Sequence, residues 1–451
     1  MTLPNTTISA REIFFLTVPQ LGLMLCHLAV SMTDIWVAGQ LDTAIVAVLG
    51  FISQISALLM LVISIAGSGC MATVSQAVGA GKHLRARCYA GLILAISFMA
   101  GAFASGLALT ALPLIISLDV IPPDLQTPSL VFGVAYAAQA PFFYCMVILN
   151  SIFRAHKLVW LPFCTLVLVA ASNFVISAGF GLGCWAFPDY GYGAVAAGTL
   201  LSAIAGFGCN IILAVKKGIL ARRSFAPWKW NKKAAPRLWR IGAPAALGNL
   251  ASNLGRLSLL TLLAELPDAQ IAEVAGMTLG SRIIGFLVMP MAALGMTVTI
   301  LSGHFIGAKK FSAARQMGTR CAIWSALAMG ILALILWLAR KTAVAIFDPS
   351  PEAVAASSQF LGIACLTLPF QAIYQILAAV FAGAGETRIT CRIDCICMWC
   401  FSIPTGIILA YLVKMQAVGI YLGMAFGNVC AVIMVIAVFR KNAWMRQHRS
   451  G

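Results

Sequence analysis

The chain has 451 residues, of which 61% are hydrophobic and only 10% charged, with a mean hydropathy of +0.96; soluble domains carry about 25% charged residues. That excludes water as the main solvent and makes a lipid bilayer the first partner. A formal charge of +17 would point to nucleic acid in a soluble chain, but here its distribution between hydrophobic stretches argues for membrane topology and against a nucleic-acid partner.

A hydrocarbon core of roughly 30 Å needs about 20 apolar residues of helix. Twelve such stretches follow one another: 13–38, 44–77, 88–117, 127–153, 159–182, 191–215, 238–264, 271–303, 318–346, 354–382, 393–413 and 416–439. The first starts after Arg11 and has no small-residue cleavage site, so it is expected to be retained as a span. It contains Pro19, which deletes a backbone hydrogen bond and permits a bend, and Asp34, a carboxylate in an apolar run. Span four carries Asn150, span five Asn173 and Ser177 one turn apart on one face, and span six Thr199. The basic joint KKGILARRSFAPWKWNKKAAPR then interrupts the chain near its middle. It divides an N-terminal six-helix bundle (1–215) from a C-terminal one (238–440), with 216–237 as a cytoplasmic linker and 441–451 as a basic cytoplasmic tail. In the second half, spans seven and eight hold the cations Arg256 and Arg282, and span ten holds Gln371 and Gln375 but no acid.

Most Lys and Arg fall in alternate joints. They lie at Arg11, at 82–87, at 154–157, between Lys216 and Arg240, at 309–320, at Arg388 and Arg392, and from Arg440 onward. The other joints hold Arg340, Lys341 and Lys414 together with Asp42, Asp119, Asp124, Asp189, Glu265, Asp268, Glu273, Asp348 and Glu352. By the positive-inside rule both termini are cytoplasmic, as expected of a multi-pass protein of a bacterial inner membrane. The fourteen cysteines sit almost wholly in apolar spans, where a thiol behaves as a small hydrophobe. Cys391, Cys395, Cys397 and Cys400 lack the short-loop spacing of a zinc site, so no metal is expected.

The halves echo each other. Pro19 answers Pro244, Gly50 answers Gly276, GAGK at 79–82 answers GAKK at 307–310, and PFFYCMVILNSIF (141–153) answers PFQAIYQILAAVF (369–381). Six spans per half start both halves on one side. The expected fold is therefore an all-α membrane protein whose two six-helix bundles are related by a pseudo-two-fold axis near the membrane normal, with alternating access as the inferred mechanism.

Several segments in order, SMTDIWVAGQLDTAIVAVLG, ATVSQAVGAGK, LNSIFRAHK, SNFVISAGFG, GYGAVAAGTLLS, LSGHFIGAKK and AAVFAGAGETR, make the chain resemble the multidrug and toxic compound extrusion (MATE) family over nearly its whole length. The resemblance implies a proton or sodium site on Asp34, Asn173, Ser177 and Thr199, in a helix that bends at Pro19. Ser177 stands where many family members have a second Asp, and one carboxylate fewer favours protons over sodium. Asn150 belongs either to this pocket or to a packed amide contact between helices. A helix-end position in water for Asp34 and a static kink at Pro19 remain as alternatives. No acid in the second half matches Asp34, so coupling is expected to be asymmetric. Arg256 and Arg282, with Gln371 and Gln375, should touch substrate or pair with other groups, since an unpartnered cation in a span is costly.

The implied activity is antiport without a cofactor, with protons or sodium as the coupling ion, exporting bulky amphipathic cations and functioning as a monomer. A flippase for a lipid-linked precursor, or an exporter of an anionic metabolite, is the alternative that the two arginines keep open. An enzyme is not expected, because no set of nucleophile, base and acid lies at one depth. Nor is an ATP-driven pump, since there is no phosphate-binding glycine loop.

Overall fold

The computed structural model describes residues 9–117, 122–221, 224–225, 227–266, 271–348 and 350–441. Asp119 and Asp268 of the acidic joints, Arg222 and Arg223 of the linker, and the basic tail from 442 onward lie outside the described residues.

Long apolar runs satisfy their backbone only as helices. The chain forms α1 Ala10–Leu41, α2 Thr43–Gly79, α3 His83–Ser117, α4 Pro123–Ala155, α5 Trp160–Gly181 and α6 Tyr192–Lys216. The second series is α7 Trp228–Ala264, α8 Ile271–Gly307, α9 Phe311–Ala345, α10 Pro351–Ala384, α11 Thr387–Leu412 and α12 Gln416–Arg440. Among the described residues ten of these are long and apolar enough to cross a membrane, and α2 contributes the apolar segment Thr43–Ser56. Helix α7 does not meet that criterion: its first turns carry Lys229, Lys232, Lys233, Arg237 and Arg240, and the stretch beyond them includes Asn249, Asn253 and Arg256.

Three helices start six or more residues earlier than in the sequence reading: α7, α9 (Phe311 rather than 318) and α11. The seventh helix starts at Trp228 rather than 238, so the end of the basic joint is helical, and it is pinned in place: Arg237 donates to Gln76 Oε1 at 3.0 Å and Trp230 meets Tyr89 edge-on. The eleventh helix starts at Thr387 rather than 393, which brings Arg388 and Arg392 into it and leaves Asp394 two turns from its start. Helix α11 also contains wide turns over Ile396–Ser402 and Ile408–Leu412, where amides reach back five residues, Ile403 to Met398 and Val413 to Ile408. Pro404 lies between them and has no N–H for the ladder, a recognised cause of such irregularity.

Helix ends follow local chemistry. Asp42 separates α1 from α2 by accepting the Ala44 amide at 2.9 Å. The repeat seen in the sequence extends to the backbone. Gly81 (φ 70°) after α2 corresponds to Lys309 (φ 58°) after α8, and Lys157 (φ 61°) after α4 to Gly385 (φ 81°) after α10. All four turns close with the same bond, Lys82 N to Ala77 O, Lys310 N to Phe305 O, Leu158 N to Phe153 O and Glu386 N to Phe381 O, at 2.8–3.0 Å. Identical caps hold even where lysine replaces glycine in the left-handed region.

The chain forms two compact units. One is Val18–Gly242; the other takes Ala243 to the end of the described chain, together with the first turns of α1 up to Thr17. In the first, α4 packs against α2, α3 and α6 and buries Phe132, Ile148, Leu149, Ile152 and Phe153 completely. In the second, α10 holds the same place among α8, α9 and α12. Thr17 there shares a 3.0 Å hydrogen bond with Thr297 of α8. Helix α12 presents Gly419, Gly423 and Gly427 to α11; a Cβ on Gly423 would lie 2.5 Å from Gly406 N and 2.8 Å from Ser402 O. Small residues at this spacing allow the close helix contact that replaces hydrophobic driving force in lipid. Gly423→Leu is expected to lower the thermal midpoint of the detergent-purified protein by several degrees, an overpacking cost of about 1–3 kcal/mol; an unchanged midpoint would disprove the tight contact.

Candidate functional site in the N-terminal unit

Asp34 lies on α1 and is 4% exposed, and Asn173 and Ser177 on α5 are fully buried. Asn173 Nδ2 donates to Asp34 Oδ1 at 3.1 Å and Ser177 Oγ to the same oxygen at 3.4 Å, while Thr199 Oγ1 on α6 donates to Oδ2 at 3.1 Å. The geometry follows from spacing and size. Asn173 and Ser177 are one turn apart on one face of α5. Gly181 lets α5 approach α1, where an added Cβ would stand 3.1 Å from Val37 Cγ1, and Gly198 lets α6 approach α5.

An isolated carboxylate in a membrane helix costs roughly 2.5–3.5 kcal/mol on insertion scales. Hydrogen bonds to a charged group contribute about 1.5–3 kcal/mol each, so three donors bring the cost of ionised Asp34 close to that of its protonated form. The same groups can also receive the protonated form. The single Thr199 hydroxyl proton has a second acceptor in range, Val195 O at 3.1 Å. Asn173 Oδ1 is buried without a hydrogen-bond partner, so a turn of the amide would offer it to a carboxylic acid proton.

Asp34 opens onto a cavity of about 380 Å³ lined by α1, α2, α4 and α6. Met60, Tyr136, Phe143 and Tyr144 supply apolar and aromatic surface, Gln139 a polar edge, and His27 stands on the Asp34 face of α1. Sequence reasoning missed His27, Tyr136 and Gln139. The available signal was periodicity: Tyr136, Gln139, Ala140 and Phe143 recur at helical spacing on α4.

Asp34, Asn173, Ser177 and Thr199 therefore meet at one point. Asn150 does not join them, which corrects its inclusion in that pocket: its Oδ1 accepts from Asn210 Nδ2 at 2.8 Å, between α4 and α6. Pro19 is buried in α1, immediately beyond the division between the two units. In the other unit Gln371 and Gln375 are half-buried on α10, Gln375 beside Gly295 of α8. Arg282 is exposed on α8 and pairs with no described residue, and Arg256 donates to Asn253 Oδ1 at 2.6 Å on its own helix.

The second half is not free of membrane acid. Asp394 lies two turns inside α11 and accepts a hydrogen bond from Tyr374 of α10. The sequence reading, whose span 393–413 contains Asp394, noted only that no acid answers Asp34 in the repeat and that span ten has none.

The MatE family model matches the chain twice, at residues 19–178 and 244–408. Among curated relatives, the uncharacterized transporter YisQ of Bacillus subtilis is 23% identical over 97% of this chain and 95% of its own length. The probable multidrug resistance protein NorM of Thermotoga maritima is 22% identical over 97% and 93%. The crystal structure of the Vibrio cholerae MATE transporter VcmN in the bent form shares the fold with a TM-score of 0.87 over 97% of each chain, at 21% identity. Two matches of the family model, covering most of the chain, and a twelve-helix fold in two bundles establish that this protein belongs to the MatE family, whose members are membrane transporters, not enzymes, and include multidrug efflux proteins.

Proposed function

We propose that this protein is a secondary antiporter that exports bulky amphipathic organic cations in exchange for protons by alternating access, with Asp34 as the coupling acid. One observation carries the reading: Asp34, the single buried carboxylate among the described residues of the N-terminal unit, is gripped by three donors and also faces an aromatic cavity of about 380 Å³. Of the cavity-lining side chains, only this one bears negative charge at neutral pH, and none belongs to Lys or Arg. A cation stacked on aromatic and Met surface and a proton then compete for one charge. Occupation by either excludes the other, which is the minimal condition for exchange. A cavity with an acid and with no Lys or Arg among its described lining residues favours cations over the anionic-metabolite or lipid-precursor alternative.

In this scheme the protein works as a monomer in the bacterial inner membrane with both termini in the cytoplasm. Helix α1 changes its bend at Pro19 as Asp34 gains or loses its proton. The test is transport in proteoliposomes under separately imposed proton and sodium gradients. Ethidium should move against an inward proton gradient and ignore a sodium gradient, and the anionic dye fluorescein should not move. Transport of fluorescein in place of ethidium, or dependence on sodium alone, would remove the reading.

Ser177 sets the ion preference. Its Oγ lies 3.4 Å from Asp34 Oδ1, so Ser177→Asp places a second carboxylate beside the first, and a shared cation relieves their repulsion. Ethidium export by this variant is expected to gain a sodium dependence of several-fold that the parent lacks. The same sodium response in both would exclude position 177 from the ion site.

A further inference from the structure

The C-terminal unit holds a second carboxylate with a different environment. Asp394 lies about 10 Å along α11 from Thr387, at 1.5 Å per residue. Helices α7 and α11 run side by side: Trp399 Nε1 donates to Ala251 O at 3.3 Å and Tyr411 Oη to Leu262 O at 3.0 Å. At the level of Asp394 the facing residue is Gly248, whose added Cβ would stand 3.3 Å from Asp394 Oδ2 and 3.2 Å from Cys391 Cα. The carboxylate thus sits in a notch made by the missing side chain, inside the apolar stretch of α7.

Its partners do not neutralise it. Tyr374 Oη donates to Oδ1. Arg256 acts on it electrostatically from α7 but spends its hydrogen bond on Asn253, and among the described residues no ion pair forms with Asp394. The other titratable groups around it are Cys391 and Cys397 of α11 itself. One charged hydrogen bond, at about 1.5–3 kcal/mol, falls short of or barely matches the roughly 2.5–3.5 kcal/mol cost of an ionised carboxylate in a span. Asp34 has three such bonds. Asp394 is half-buried, and Arg256 offsets part of that cost from a distance; a bound proton removes the rest, and it is the smallest cation that the notch at Gly248 could take.

We propose that Asp394 is a second proton-binding carboxylate, seated between Tyr374, Gly248 and Arg256, so that each unit of the transporter carries its own protonatable acid. The counter-ion load is then two protons per cycle rather than one, and the asymmetry expected from the sequence does not hold. This rests on the antiport reading above for its role in transport, but the protonation itself does not.

The test separates the two. Infrared difference spectra of the reconstituted protein, taken at pH values above the ordinary carboxylate range of about 4, read the carbonyl stretch of protonated membrane carboxyls without any substrate. Two such bands are expected, one lost in Asp34→Asn and the other in Asp394→Asn. Tyr374→Phe keeps the acid but removes its donor, and should shift the pH at which the second band titrates. In proteoliposomes the proton-to-ethidium ratio should fall from about two to about one in Asp394→Asn. A spectrum of Asp394→Asn identical to the parent's, or an unshifted band in Tyr374→Phe, overturns the proposal. So does an unchanged proton count with weakened ethidium binding, which would make Asp394 a substrate contact. Loss of the second band in Asp394→Asn beside an unaltered Asp34→Asn protein sustains this inference while removing the role given to Asp34.

Discussion

Asp34→Asn is expected to reduce proton-coupled ethidium export to the level of protein-free liposomes, while the purified variant keeps its thermal midpoint and elution profile. The two side chains have nearly the same shape: the new amide oxygen, set where Oδ1 lies in the parent, still accepts from Asn173 and Ser177, which donate at 3.1 and 3.4 Å, and the new NH2 donates to Thr199 Oγ1, whose own proton turns to Val195 O. What disappears is the ability to carry charge in one state and a proton in the other. Because a buried charge is replaced by a neutral group that retains its donors, no large loss of stability follows. A pH-sensitive dye in the liposome lumen reads the outcome directly. Proton release on ethidium addition that matches the parent would end the assignment, whatever the export rate.

Gly198→Val should abolish most transport and also lower the thermal midpoint. A Cβ at Gly198 would stand 2.5 Å from Ser177 Oγ and 3.3 Å from Ser177 N, so valine forces α6 away from α5 at an overpacking cost of about 1–3 kcal/mol. Thr199 is the next residue, and its 3.1 Å bond to Asp34 is lost with the displacement. Gly208→Ala on the same helix is the control, because a Cβ there meets nothing within 4 Å; it should transport and melt like the parent. Equal behaviour of Gly198→Val and the control would show that the helix contact at Ser177 does not position the acid.

How far the sequence could be read depends on what each feature costs in lipid. Hydropathy marks each span, because backbone in hydrocarbon must close its hydrogen bonds within the segment. The repeat was visible as matched motifs, but its backbone form, left-handed residues at Lys309 and Lys157 where the other half has Gly81 and Gly385, needed coordinates. Asp34 stood out as an acid deep in an apolar run. Asp394 lies within span eleven but answers no acid of the first half, so the repeat did not mark it. Asn150 misled because an amide in a span fits a polar pocket and a packing contact equally well, and only the position of Asn210 distinguishes them.

The order of residues along the chain was enough to determine the twelve helices and the acid of the first span, since each depends on local hydrophobicity and charge. Tertiary structure alone decided which side chains meet. Two helices distant in sequence from α1 converge on Asp34, Tyr374 reaches Asp394 from a neighbouring helix, and both arrangements depend on glycines at points of contact. Such meetings are set by the close packing of whole helices, a property no single segment contains.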